Sequence, residues 1–126
     1  MYQGSVGAAF KFEQLKELGI THILTCATDI GARFPDNFEY LQLPLLDTPK
    51  FNIRSHFDTA REFINNCRNK QGRVLVHCFA GKSRASTVTI SYMMAEMKID
   101  LQTAFKHVKS KRSIALPNIG FLMQLM

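Results

Sequence analysis

"VLVHCFAGKSRAST", residues 74–87, runs from an apolar, β-branched stretch through a glycine-containing turn into a helix-forming stretch. A strand as rich in apolar, β-branched residues as "RVLVHC" belongs in the middle of a sheet with both faces covered. It delivers Cys78 to the entrance of a short loop, and Arg84 stands at the loop's exit. The pattern predicts strand, loop and helix in direct succession.

The flanking sequence repeats that alternation. "AAFKFEQLKELG" carries Ala8, Phe12, Leu15 and Leu18 at helical spacing and ends on Gly19, which predicts one helix. "THILTCA" reads as a buried strand, and "NFEYLQLPLLD" as a second strand stopped by Pro44, with a loop "LDTPKFNI" after it. Ser55 can cap a helix with the stripe Phe57, Ala60, Phe63, Ile64, Cys67, broken by Gly72. Beyond the loop, "ASTVTISYMMAEMK" predicts a buried helix. "DLQTAFKHVKSK" predicts another, capped by Asp100 with Leu101, Ala104, Phe105 and Val108 inward. "NIGFLMQLM" predicts a last helix after Pro117. Strands alternating with helices predict an α/β fold whose central, mostly parallel sheet is flanked by helices, with its site at the carboxyl ends of strands.

With 126 residues, 46% hydrophobic and 21% charged, the chain has the size and balance of a single domain spanning residues 1–126. No apolar run approaches the ~20 residues that cross a bilayer, so membrane insertion is not expected. "MYQGSVGAAF" has neither a charged n-region nor an apolar h-region, so no secretory leader is expected, and Met-Tyr excludes myristoylation. Cys26, Cys67 and Cys78 are odd in number and scattered, without CxxC. His22, His56, His77 and His107 show no ligand spacing with them. Neither a disulfide framework nor a metal site is expected, and the free thiols suit a reducing compartment, the cytoplasm or alternatively the nucleus. The net charge of +6 favours anionic partners, though its only cluster, "KHVKSKR", reads first as a solvated basic face.

The loop supplies the chemistry. Backbone N–H groups converging on one point at a helix N-terminus make an anion cradle. Gly81 gives the turn conformational freedom, and Arg84 can fold its planar fork onto two oxygens of a phosphate. Whatever attracts phosphate also favours a thiolate, so Cys78 is placed as a nucleophile. A Walker A reading of "AGKS" fails because Val76 stands where that motif has its first glycine. Cys26 and Cys67 read as small buried hydrophobes. His77 leaves its strand on the face opposite Cys78, so it reads as a support for the loop rather than a base.

Cys78 and Arg84 match C-x5-R. The stretch "VLVHCFAGKSRAST" resembles the signature of the cysteine-dependent protein tyrosine phosphatases, most of all their dual-specificity branch. "LKELGITHILTCA", "YLQLPLLDTP" and "LPNIGFLMQLM" resemble that branch in the same order. The resemblance implies a phosphate-binding loop of Cys78, Phe79, Ala80, Gly81, Lys82, Ser83 and Arg84. It also implies a phosphocysteine on Cys78 and an aspartic acid that protonates the leaving oxygen and then activates water. Asp47 in "LPLLDTP" fits that role. Asp36, in the turn "FPDN", and Asp58, on a helix, fit it less well. Asn118 resembles the family's asparagine that braces the loop, and it also reads as a helix cap.

Two positions depart from the family pattern. Ala85 stands where a serine or threonine usually helps the thiolate leave, which implies a slower second step unless Ser83 or Ser86 substitutes. Lys82 resembles the inositol-lipid branch, but Phe79 replaces that branch's second lysine. The resemblance implies phosphorylated protein substrates on tyrosine and serine/threonine, with signalling kinases among the candidates, no cofactor and a monomer. The rival readings are a slow or inactive phospho-binding scaffold and a phosphoinositide or RNA 5′-phosphatase. The RNA reading rests on charge alone, without basic–aromatic interleaving, and nucleic acid is not expected as a partner.

Overall fold

The computed structural model describes residues 1–126. In chain order the elements are β1 (Tyr2–Gly4), α1 (Val6–Ala9), α2 (Phe12–Glu17), β2 (His22–Cys26) and β3 (Glu39–Leu43). After a 3₁₀ turn (Arg54–His56) come α3 (Phe57–Asn69), β4 (Val74–His77), α4 (Arg84–Met97), α5 (Leu101–Lys111) and α6 (Ile119–Leu125). The four strands form one sheet in the order β1-β4-β2-β3, and every neighbouring pair is parallel. β4 therefore lies inside the sheet, as its unbroken apolar run predicts, and all four of its residues are buried.

The two-residue period of the strands divides the core. Leu24 on β2 pairs with Val76 on β4 and with Leu41 on β3, and Leu24 and Val76 meet Ile64 of α3, Val88 of α4 and Phe121 of α6. Ile23 and Leu75, one position earlier on the same strands, join Ala9, Leu15 and Phe38 under α1 and α2. A third cluster, with Ile90, Met93, Ala104 and Val108, fixes α5 against α4. Each fully buried aliphatic side chain contributes roughly 2 kcal/mol of transfer free energy, and the clusters on both faces clamp β4 in place.

Three local expectations are corrected. β1 was not foreseen: its three residues pair with β4, Gly4 opposite His77, which makes a strand of a segment with little intrinsic preference. The single helix expected over residues 8–19 is two. The chain turns at Phe10–Lys11, where Lys11 leaves the helical region (ψ 85°), so that Ala9 of α1 and Leu15 of α2 both reach the same apolar cluster. Ser55 caps nothing; it sits inside the 3₁₀ turn, and its Oγ donates to Asn52 O at 2.9 Å. The inward stripe on α5 matches expectation, with Ala104 and Val108 fully buried and the half-buried Leu101 and Phe105 packed against the same cluster. The Asp100 cap matches expectation, with Oδ1 accepting from Thr103 N at 2.8 Å.

Candidate active site

The loop between β4 and α4 is shaped by what its carbonyls do. Cys78 O accepts from His77 Nδ1 (3.3 Å), and Phe79 O from Val6 N (2.9 Å). Ala80 O accepts from Arg112 Nη2 (2.8 Å), and Gly81 O from Arg112 Nε (2.8 Å) and Gln3 Nε2 (3.1 Å). Lys82 O accepts from Leu116 N (2.8 Å), and Ser83 O from Thr87 N (2.9 Å) and Thr87 Oγ1 (2.8 Å). Every carbonyl from Cys78 to Ser83 is thus held by a donor. The N–H groups of Phe79, Ala80, Gly81, Lys82 and Ser83 donate to no acceptor in the chain. A short turn with its carbonyls tied back presents its amide hydrogens on the other side, a concave cluster of partial positive charge on the N-terminus of α4.

Gly81 is the hinge of this turn. Its φ is +69°, and a Cβ there would lie 2.5 Å from Gly4 O and 2.8 Å from Arg112 Nε. Only glycine combines that conformation with that closeness. The unforeseen β1 therefore has a direct part in the site, because its last residue forms the floor beneath Gly81.

Cys78 is 2% exposed and free, at the edge of the core cluster that also holds Cys26, Leu43, Leu45 and Ala85. No donor hydrogen-bonds its Sγ. Ser83 Oγ accepts from Asn118 N at 3.0 Å and Ser86 Oγ from Gln3 Nε2 at 2.7 Å, and neither hydroxyl hydrogen-bonds the sulfur. Ala85 is completely buried. Burial pushes the Cys26 thiol well up from its ordinary value, with Cys78 adding to the shift and Arg84 opposing it, so Cys26 is a neutral core residue. Burial likewise raises Cys67.

Arg84 opens α4. Its Nη1 donates to Leu45 O at 3.1 Å, while its Nε is buried and has no partner. A guanidinium edge kept from water without an acceptor is costly in an empty core and useful facing an oxyanion. The Leu45 bond also draws the segment bearing Asp47 toward the loop. Asp47 is exposed, and its Oδ1 accepts from Asn118 Nδ2 at 3.0 Å. Asn118 Oδ1 caps α6 by accepting from Phe121 N at 2.8 Å. The helix cap foreseen for Asn118 is present; its backbone N–H reaches Ser83 of the loop, and its side chain also holds the Asp47 segment. Gly120 lets the two approach, since a Cβ there would strike Pro49 O.

His77 is 1% exposed, with Nε2 2.9 Å from Thr25 Oγ1. Its Nδ1 faces a carbonyl, which can only accept, so Nδ1 carries the proton and neutral Nε2 accepts from the threonine hydroxyl. Desolvation lowers its pKa, partly offset by the bond to Cys78 O. With both nitrogens occupied it supports the loop. Phe79 and Lys82 point their side chains outward, Phe79 being 63% exposed. Gln3, Thr25 and Arg112 were not foreseen. Arg112 lies in the "KHVKSKR" cluster, and no local spacing distinguishes it from its solvated neighbours.

The sheet, the turn and the helix form a strand–loop–helix unit with a buried cysteine at the entrance of a turn of unpartnered amides. The catalytic-domain model of the dual specificity phosphatases matches residues 1–126, and the chain belongs to that family. It is 42% identical over 125 residues to dual specificity protein phosphatase 1 of Arabidopsis thaliana, covering 99% of this chain but 63% of that protein. The chain thus spans less than two thirds of that relative's length. Among solved structures, DUSP15 superposes with a TM-score of 0.93 at 35% identity, covering 97% of this chain and 78% of the other. The human tyrosine phosphatase-like serine/threonine/tyrosine-interacting protein superposes with a TM-score of 0.91 at 36% identity, covering 97% and 85%.

Proposed function

We propose that the chain hydrolyses phosphotyrosine and phosphoserine/threonine esters in proteins through a phosphocysteine on Cys78. The observation that carries this reading is the set of amides from Phe79 to Ser83, unpartnered within the chain while every carbonyl of the turn is tied back. Three non-bridging phosphate oxygens fit those amides and the fork of Arg84, which neutralise charge in the ground state and more strongly in the transition state. The Cys78 thiolate attacks phosphorus, a sulfur–phosphorus bond forms, and the ester oxygen leaves with the proton of Asp47. The Asp47 carboxylate then takes a proton from water, whose oxygen attacks phosphorus and releases the Cys78 thiolate and inorganic phosphate. No step requires a metal. Signalling kinases are among the candidate substrates.

The test is p-nitrophenyl phosphate turnover by wild type, Cys78→Ser and Asp47→Ala, followed by a panel of phosphopeptides, phosphoinositides and RNA 5′-ends. Turnover abolished by Cys78→Ser, lowered by Asp47→Ala, unaffected by chelator and strongest on phosphopeptides supports the reading. A second reading, a phospho-binding module, is favoured by one observation: no hydroxyl reaches Cys78 Sγ, and Ala85 cannot supply one. Phosphopeptide binding without turnover above Cys78→Ser would establish it instead.

A further inference from the structure

A groove of about 380 Å³ opens between β1, α4 and α5, within the size range of small-molecule sites. Tyr2, Met93 and Val108 give it an apolar wall, and Lys111 and Arg112 a cationic one beside His107. No carboxylate lines it, and neither of the two cations is in an ion pair. Thr89 also lines it. That residue is 6% exposed, and its buried Oγ1 has no hydrogen-bond partner, a state that usually points to a missing one. The groove is joined to the catalytic turn by two of its own side chains. Gln3 Nε2 donates to Gly81 O (3.1 Å) and to Ser86 Oγ (2.7 Å). Arg112 donates to Gly81 O and Ala80 O, both at 2.8 Å.

We propose that this groove is an effector site for a small amphiphilic monoanion of the carboxylate class. The apolar chain lies against Met93 and Val108, and the carboxylate meets Lys111, Arg112 and the Thr89 hydroxyl. A carboxylate on Arg112 competes with the two carbonyls that the guanidinium holds. Ala80 O then loses its donor and Gly81 O keeps only Gln3, so the amides of Phe79–Ser83 are held less firmly in convergence and the turn loses affinity for its own anion. The coupling is reciprocal, so an oxyanion in the turn weakens effector binding by the same factor. The coupling rests on reading the turn as the phosphate site; binding in the groove does not.

The experiment titrates ¹⁵N-labelled chain with sodium decanoate, with and without orthovanadate as the probe of the catalytic turn. Decanoate is expected to shift the amides of Met93, Val108 and Lys111. Lys111→Glu is expected to weaken it roughly tenfold, whereas Lys106→Glu, the same charge change on α5 outside the groove, leaves it as in wild type. Saturating decanoate is expected to weaken vanadate about fivefold. Shifts that are absent or confined to Cys78–Arg84, or equal losses in the two charge reversals, would overturn the site. Unchanged vanadate affinity would overturn the coupling. Absence of p-nitrophenyl phosphate turnover would instead sink the phosphatase reading and leave the decanoate shifts in place.

Discussion

Asn118 Nδ2 donates to Asp47 Oδ1 at 3.0 Å, while the same residue's Oδ1 caps α6 and its N–H holds Ser83. One side chain thus sets the proposed acid in register with the loop and starts the last helix. The two duties can be separated. Asn118→Ala is expected to lose both, costing about 1 kcal/mol of stability through the cap and roughly tenfold in kcat/KM through a misplaced acid. Asn118→Ser restores the cap but cannot reach Asp47. Its melting temperature should return toward wild type while its kcat/KM stays low, and recovery of both together would show that the tether is not used.

Arg112 holds two successive carbonyls of the turn with one planar fork. Lysine keeps the charge but cannot reproduce two fixed donors. Arg112→Lys is therefore expected to lower kcat/KM by about tenfold and to weaken vanadate in parallel, because the anion cradle itself loosens. Unchanged vanadate affinity alongside a lower kcat would place the defect in chemistry rather than in the cradle.

Gly81→Ala should be the most damaging single change in the turn. The left-handed φ of +69° costs an alanine about 1 kcal/mol, and its Cβ would overlap the backbone of Gly4. Relief requires β1 to move away from β4. The expected outcome is a loss of more than ~2 kcal/mol in urea unfolding together with loss of vanadate binding. Wild-type stability would mean that the turn relaxes without involving β1.

The turn was legible in the sequence because its information is local. An unbroken apolar run selects a central strand, and Cys78, Gly81 and Arg84 fall within seven residues of chain. What closes the site is not local. Arg112 reaches Gly81 across 31 positions, Asn118 reaches Asp47 across 71, and Gln3 reaches Ser86 across 83. Nothing in "KHVKSKR" distinguishes the arginine that turns inward from the lysines that remain in water. Similarly, "YQG" becomes a strand through its pairing with β4 and not through propensity. Asp47 and Asn118, which the structure joins by a hydrogen bond, were singled out on a family resemblance, which carries long-range information that spacing cannot.

His77 supplies a pH dependence of stability. Burial lowers its pKa from the ordinary 6.5, with the bond to Cys78 O opposing. The unfolded chain therefore takes up a proton near pH 6.5, and the folded chain only at lower pH. Below pH 6.5 the unfolded state binds more protons, so this contribution is fully present above pH 6.5 and is lost as pH falls toward the folded value. Urea unfolding at pH 7.5 and 5.5 should show wild type losing more stability than His77→Gln across that interval. Equal losses would mean that other groups carry the acid sensitivity.

The most informative position is Ala85, buried beside a cysteine whose sulfur receives no hydrogen bond. In the first step the thiolate is consumed, and its stabilisation matters little to departure of the ester oxygen. In the second it must leave phosphorus as an anion, and a donor on sulfur would lower that barrier. Ser83 and Ser86, whose oxygens accept from Asn118 N–H and Gln3 Nε2, make no hydrogen bond to the sulfur. Wild type is therefore expected to form phosphocysteine faster than it hydrolyses it. Stopped-flow mixing with p-nitrophenyl phosphate should show a burst of nitrophenol near one equivalent, followed by a slower steady rate. Ala85→Ser introduces a hydroxyl into a fully buried site, which costs roughly 1–3 kcal/mol if it finds no partner and less if it bonds the sulfur. The expected result is a smaller burst and a steady-state rate raised about tenfold. A wild type without a burst, or a serine variant that is no faster while still folded, would show that leaving of the thiolate does not limit turnover.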